Sequence, residues 1–393
     1  MPWPRPRISS PRRSPRPTAS RLAMAMVQPI ISTPGGDPMT VDRRLTLAAA
    51  AGLIAAPTPA RAQAARRWRM VTSWPKNLPG PGFSAQRIAE RIATLSAGRI
   101  EVQVFAAGEL VPAFAVQEAV GNATVELGHT ASFFGIGREP ASAFFTAIPF
   151  GFTPPEHAAW ILQGGGQELW DETSRRFGFK PLMGGNTGVS MGGWFRRELH
   201  SAEDVKGLKI RMVGLGAELF QRLGATALAV PPADIYPALE RGVVDAAEFT
   251  SPGADLQLGL WRIAPFYYTP GFNKPNGSSE FLVNRTLWDG LEPELKAVVE
   301  AACLAELTVA LAEIERLNME ALALMVTSHG VKLRGFPADM LALARRHAGD
   351  LVRDLGTRSP MARKVADSYT AFQARITPWT RVSLHAALGA REA

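Results

Sequence analysis

Residues 203–253 read EDVKGLKIRMVGLGAELFQRLGATALAVPPADIYPALERGVVDAAEFTSPG. An apolar strand ends at Arg211, a helix follows, then a second strand, a second helix, and a third strand that ends on Glu248. Strands alternating with helices at this spacing argue for a parallel α/β sheet. Arg211 and Glu248 stand as the two charged ends of this run.

The same alternation extends toward the N-terminus. β-Branched and aromatic residues bounded by Gly or Pro predict strands over 68–74, 100–106, 125–131 and 144–150, with helical patterns over 83–95 and 113–121. It restarts at Gly192-Gly193-Trp194-Phe195 and runs on to Phe249. Two such runs joined by the glycine-rich stretch 184–193 predict two lobes and a hinge. Beyond Asn284 the pattern turns helical. Residues 294–328 lie between Pro293 and Gly330 and predict a helix roughly 50 Å long, which either crosses both lobes or bends. A short strand over 331–336 follows, then helices over 337–355 and 360–388, the last interrupted at Pro378.

The first 64 residues read as targeting sequence. Residues 1–38 are too rich in Pro, Arg and Ser to bury a core. Met39 reads as the start of a leader with Arg43-Arg44, an apolar run over 45–56, and small residues at Ala60, Ala62 and Ala64. That is a cleaved signal peptide directing export to the periplasm, its arginine pair hinting at the twin-arginine route. The first 64 residues also carry nearly all of the net charge of +8, so the body is close to neutral. With no basic cluster interleaved with aromatics there, a nucleic-acid partner is excluded. Cys303 is the only cysteine, which rules out an intramolecular disulfide and a cysteine metal site, and it reads as a small core residue. The histidines are scattered singly, against a zinc site.

Gly188-Val189-Ser190-Met191-Gly192 fits the G-x-S-x-G elbow of a serine hydrolase, with Ser190 as nucleophile and Asp245, then His329, His347 or His385, in the right order. The elbow demands a strand, a sharp turn and a helix. Gly193-Trp194-Phe195-Arg196 reads as strand, so the enzyme reading stands as the alternative only.

From Ser73-Trp74-Pro75-Lys76 through His129-Thr130-Ala131, 143–151, Gly185-Asn186-Thr187-Gly188, Met191 to Phe195, Lys206 to Arg211 and Ala233 to Glu248, the chain resembles the substrate-binding proteins of tripartite ATP-independent periplasmic (TRAP) transporters, the DctP family. The resemblance is to the branch that takes 2-oxo and 2-hydroxy monocarboxylates. It implies a two-lobed periplasmic-binding-protein (flytrap) fold of α/β class with hinge strands, a lobe-spanning helix and a C-terminal helical extension. The expected division is 65–188 for lobe I, 189–274 for lobe II, 275–316 back in lobe I, and 317–393 in lobe II and the C-terminal helices. The partners implied are a small monocarboxylate, the transporter's membrane subunits, and a second copy docked through the C-terminal helix, with intramolecular packing as the other use of that helix. A sensory binding protein on the same fold is a third reading.

The resemblance assigns Arg211 to the ligand carboxylate, where a guanidinium fork makes two charge-assisted hydrogen bonds. Asn186 reads equally as a ligand donor and as ordinary turn chemistry. Glu248 is the expected ligand of a sodium or calcium ion beside the substrate, with the residue-249 position supplying a backbone carbonyl. This chain departs from the branch at four positions: Ser190 replaces Gln, Phe249 replaces Trp, Lys274 replaces Glu, and Phe134 replaces Tyr. Lys274 speaks against the metal ion, and either pairs with Glu248 in its place or points to solvent. Phe134 makes the cleft wall more apolar, where Trp74 and Trp194 could pack on a ligand longer than pyruvate.

Overall fold

The alternation Trp68-Arg69-Met70 places buried and exposed side chains in turn on the first strand of the computed structural model, which describes residues 65–392. The leader expected over 1–64 lies outside that range. Strands β1 (Arg66–Thr72), β2 (Ile100–Phe105) and β3 (Leu127–Thr130) pair in parallel, and β4 (Phe179–Asn186) closes the same sheet. The crossover helix Pro81–Leu95 buries Ala85, Ile88, Ala89 and Ile92, one apolar stripe at helical spacing.

A second sheet is built from β5 (Gly193–Phe195), β6 (Lys209–Arg211), β7 (Thr226–Leu228), β8 (Ala246–Ala247) and β9 (Phe266–Thr269). The chain then returns, and β10 (Ser278–Asn284) inserts between β3 and β4, antiparallel to both. Strand β11 (Lys332–Gly335) adds to β9 at the edge of the second sheet. The orders are β2-β1-β3-β10-β4 and β11-β9-β5-β8-β6-β7. This is a two-lobed α/β fold.

Two segments, 187–192 and 270–277, carry the chain between the sheets side by side. Thr187 N donates to Gly277 O at 3.0 Å and Gly192 N to Tyr268 O at 2.7 Å. A Cβ on Gly271 would lie 2.1 Å from Ser190 O, a backbone approach that admits only glycine, and one on Gly277 would lie 1.8 Å from the Thr187 side-chain Oγ1.

The helix Pro293–Ser328 lies against both sheets. Its Leu295, Val299 and Cys303 join the core of the first, and its Met325 joins that of the second. Buried Glu306 fastens it to Arg87, 2.6 Å away, and to Arg91. Burial pushes the Cys303 thiol up, out of the reactive range.

The structure departs from the sequence reading at three places. Residues 144–150 are not a strand, because Pro140–Phe145 forms a 3-10 turn. Phe145 there stacks on both Trp160 (5.7 Å) and Trp170 (5.2 Å), a buried aromatic cluster that overrides strand propensity. Strand β4 was hidden by Pro181, Gly184 and Gly185. It tolerates the proline because it lies at the sheet edge, and it is buried all the same under the long helix. The C-terminal helix runs past Pro378 to Thr380 and continues through a π turn over Arg381–His385.

Four fully buried titratable groups set opposing pH slopes. Burial lowers His129 and His157 to about 4, so the unfolded chain binds more protons below pH 6.5 and stability rises with pH. Burial raises Asp255 to about 6 and Glu280 to about 7, so the folded chain binds more protons and stability falls as pH rises. Each group contributes a slope of about 1.4 kcal/mol per pH unit, and the four nearly cancel between about pH 4.5 and 6. Neither ring nitrogen of His157 has a hydrogen-bond partner of normal geometry. We expect urea unfolding of the wild type to be nearly flat across that window and that of His157→Leu to weaken with rising pH; parallel curves for the two would contradict this balance.

Candidate functional site

Strand β6 is flanked by β7 and β8, all three parallel, and Arg211 is its last residue, in register with Ala247. Glu248 follows directly on β8, and its N–H donates to Arg211 O at 3.0 Å. In the first sheet, Trp74 follows the carboxyl end of β1, and the turn Ser132–Gly135, with Phe133 and Phe134, follows that of β3. Open α/β sheets bind ligands outside the carboxyl ends of their strands. Here both sheets present those ends to one cavity.

The cavity is walled by Trp74, Phe133, Phe134, Val213 and Phe249, with Arg211, Lys274, Thr187, Thr250, Ser278 and Ser279 as its polar members. It leaves about 40 Å³ for the centres of water-sized molecules, room for a ligand of a few heavy atoms. Arg211 is almost wholly buried. Its Nε donates to Val230 O at 2.9 Å and its Nη1 to Glu248 O at 2.5 Å, while its guanidinium carbon stands 5.8 Å from the centre of the Phe249 ring. Among the described residues no hydrogen bond occupies Nη2. Burial draws its pKa down to about 10 against the pull of Glu248 and Asp255, which leaves it charged at neutral pH.

Lys274 and Glu248 form the second charged element. Lys274 Nζ lies 2.9 Å from Glu248 Oε1, an ion pair whose direction is off that of a hydrogen bond, since Oε1 has no hydrogen-bond partner. The ammonium instead donates to Phe249 O. Lys274 therefore points inward and not to solvent.

Of the remaining candidates, Trp74, Phe134 and Phe249 line the cavity. Trp74 Nε1 donates to His129 Nδ1 at 2.7 Å, and His129 Nε2 lies 2.7 Å from Gly184 O, so the neutral ring carries its proton on Nε2. Asn186 is engaged within the protein. Its Nδ2 donates to Asn276 Oδ1 at 2.7 Å and its Oδ1 accepts from Gly188 N at 2.9 Å, the turn chemistry weighed above. Ser190 is buried outside the cavity wall, its Oγ without a partner, and the chain after it enters β5 and not a helix. That is not the strand–turn–helix of a nucleophile elbow. Trp194 is fully buried behind the site and stacks on Tyr267 at 3.9 Å.

Sequence reading missed two features. Asp255 is buried behind Glu248 and accepts from Trp194 Nε1 (2.9 Å), Tyr267 Oη (2.8 Å) and Thr250 N (3.2 Å). In sequence it is an ordinary acidic residue in the first turn of a helix. Ser278 lines the cavity with its buried Oγ unpartnered, a hydroxyl available to a ligand that nothing in Asn276-Gly277-Ser278 distinguishes.

The family profile of bacterial extracellular solute-binding proteins, family 7 (DctP), matches residues 72–357. A monocarboxylate 2-oxoacid-binding periplasmic protein of Nostoc sp. PCC 7120 is 38% identical over 317 residues, 81% of this chain and 86% of its own length. A TRAP transporter solute-binding protein of Bordetella bronchiseptica RB50, a mixed-occupancy dimer with copurified calcium and picolinate, superposes with a TM-score of 0.81 at 36% identity, covering 84% of this chain and 99% of its own. A TRAP periplasmic solute-binding protein of Pseudoalteromonas atlantica T6c with bound sodium and pyruvate gives 0.80 at 34% identity, covering 83% and 99%.

The metal ions in those relatives raise the question of fit. Glu248 Oε1 and Phe249 O are the hard oxygen donors a sodium or calcium ion prefers. Both are occupied by the Lys274 ammonium. Two unit charges of like sign 4 Å apart repel by roughly 4 kcal/mol at an effective dielectric of 20, and a divalent ion doubles that. No cluster of three or more His, Cys, Asp or Glu residues suited to a metal occurs among the described residues. The residues present do not fit the ion.

The indole N–H of Trp194 offsets part of the cost of burying Asp255. Trp194→Phe keeps the ring and removes the donor, and should lower unfolding free energy by about 1–2 kcal/mol, with a larger loss at pH 8 than at pH 5; a pH-independent loss measured by urea denaturation would show that Asp255 is not the partner that matters.

Proposed function

We propose that this chain, which belongs to the DctP family of bacterial extracellular solute-binding proteins (family 7), is the extracytoplasmic receptor of a TRAP transporter and takes a small monocarboxylate, a 2-oxo or 2-hydroxy acid, between its lobes. The observation that carries this reading is Arg211, a buried charged guanidinium held at the carboxyl end of β6 that lines a small, mostly apolar cavity and, among the described residues, has no hydrogen bond at Nη2. Such a site selects one carboxylate and leaves the rest of the ligand to hydrophobic contact. Phe133, Phe134 and Val213 favour a hydrocarbon tail beyond a single methyl group.

The protein works as a periplasmic receptor, exported through its leader, and hands its ligand to the transporter's membrane subunits. No helix among the described residues is long and apolar enough to cross a membrane. Lobe I comprises 65–188 and 275–316, and lobe II 189–274 and 317–393. Ligand between them draws the lobes together about the paired segments 187–192 and 270–277. Among the described residues Ser190 Oγ has no hydrogen-bond partner, and so no base to activate it, which supports a binding role over hydrolysis.

The C-terminal helix joins two copies. Trp379 (66% exposed) and Val382 (69%) stand in the open with Leu384 and Leu388 beside them, an apolar surface that a second copy would cover. Truncation after Thr377 should convert a dimer into a monomer in light scattering; an unchanged mass would remove this role. For the ligand site, Arg211→Met preserves volume and deletes the fork. Calorimetric titration with pyruvate and with longer 2-oxo acids should show at least about a hundredfold loss of affinity, with circular dichroism unchanged. Wild-type affinity in that variant would sink the assignment.

A further inference from the structure

In the two solved relatives described above, calcium accompanies picolinate and sodium accompanies pyruvate. In this chain the place is held by a side chain. We propose that the Lys274 ammonium is a tethered replacement for that cation, so that the receptor binds its ligand without any metal ion; this rests on the carboxylate site proposed above.

The geometry gives Lys274 the contacts a cation would take. Its Nζ sits 2.9 Å from Glu248 Oε1 and donates to Phe249 O, one side-chain oxygen and one backbone oxygen. Lys274 also lines the cavity, and of the three donors of its ammonium only the one given to Phe249 O is engaged in a hydrogen bond, which leaves donors for a ligand oxygen. The charge balance is preserved as well. A lysine in place of a carboxylate supplies the same change in charge as a divalent ion would, and Lys274 with Arg211 balances the buried carboxylates of Glu248 and Asp255.

The arm is held in place. Glu248 is 1% exposed and its Oε1 accepts no hydrogen bond, so withdrawing Lys274 to solvent would strand a buried carboxylate. Breaking a buried pair by removing one partner is strongly unfavourable, and the ammonium therefore stays. An ammonium donates a single hydrogen bond to a ligand oxygen, which a keto oxygen and a hydroxyl oxygen accept alike. The ligand class is accordingly a monocarboxylate with any acceptor oxygen on the adjacent carbon.

Three proteins test this: the wild type, Lys274→Glu and Lys274→Gln. Each is dialysed against calcium chloride and assayed for bound metal by mass spectrometry, then titrated with pyruvate in EDTA and in calcium. The wild type should carry no calcium and bind pyruvate equally in both buffers. Lys274→Glu should take up calcium and bind pyruvate only when calcium is present, while Lys274→Gln should lose about tenfold or more in affinity in EDTA. Stoichiometric calcium on the wild type, pyruvate affinity that falls in EDTA, or wild-type affinity in Lys274→Gln would each overturn the proposal. Should pyruvate bind to none of them, the ligand reading fails by itself, and the calcium content of the wild type still decides between lysine and metal.

Discussion

A fully buried guanidinium has to be surrounded by oxygen, and the neighbourhood of Arg211 is organised by that demand. The carbonyls of Val230 and Glu248 accept two of its N–H groups, the Glu248 carboxylate stands next to it, and Asp255 lies behind. Gathering two carboxylates in a dry interior then calls for donors and a second cation, which Trp194, Tyr267 and Lys274 provide. A change at the end of β6 or β8 is therefore felt by the charges around it. Each charge is tolerable because of another.

Fold class was legible because hydrophobic periodicity survives burial. The strand–helix alternation over 203–253 reappears as β6, β7 and β8 with their helices, and the long helix over 293–328 differs from expectation by a single residue. What escaped was structure decided by tertiary packing. β4 carries a proline and two glycines and is a strand because β10 pairs with it and the long helix covers it, neither of which is a local property. The 3-10 turn at Pro140–Phe145 holds aromatics that look like strand because what surrounds them is a cluster from Trp160, Trp170 and Tyr369, distant in sequence.

The site divided the same way. Residues at strand ends, Arg211 and Glu248, were visible as charges closing apolar runs. Lys274 stood out because it occupies a position where the resembling branch has the opposite charge. The direction of the Asn186 amide depends on Asn276, ninety residues on, and could only be seen once the two crossing segments were side by side. Asp255 and Ser278 carry no signature in sequence, since their significance is burial without, or with shared, hydrogen-bond partners.

The two crossing segments and the long helix join the sheets at three points, and the three differ in stiffness. Segments 187–192 and 270–277 are short lengths of irregular backbone in mutual contact, with glycines where they touch, so they act as an axle. The helix Pro293–Ser328 is a continuous rod fixed in its first half by Glu306 to Arg87 and Arg91 and embedded near its far end through Met325. A rod clamped to both sides of an axle permits rotation only by flexing. It is set like a leaf spring, one continuous element seated on both sheets.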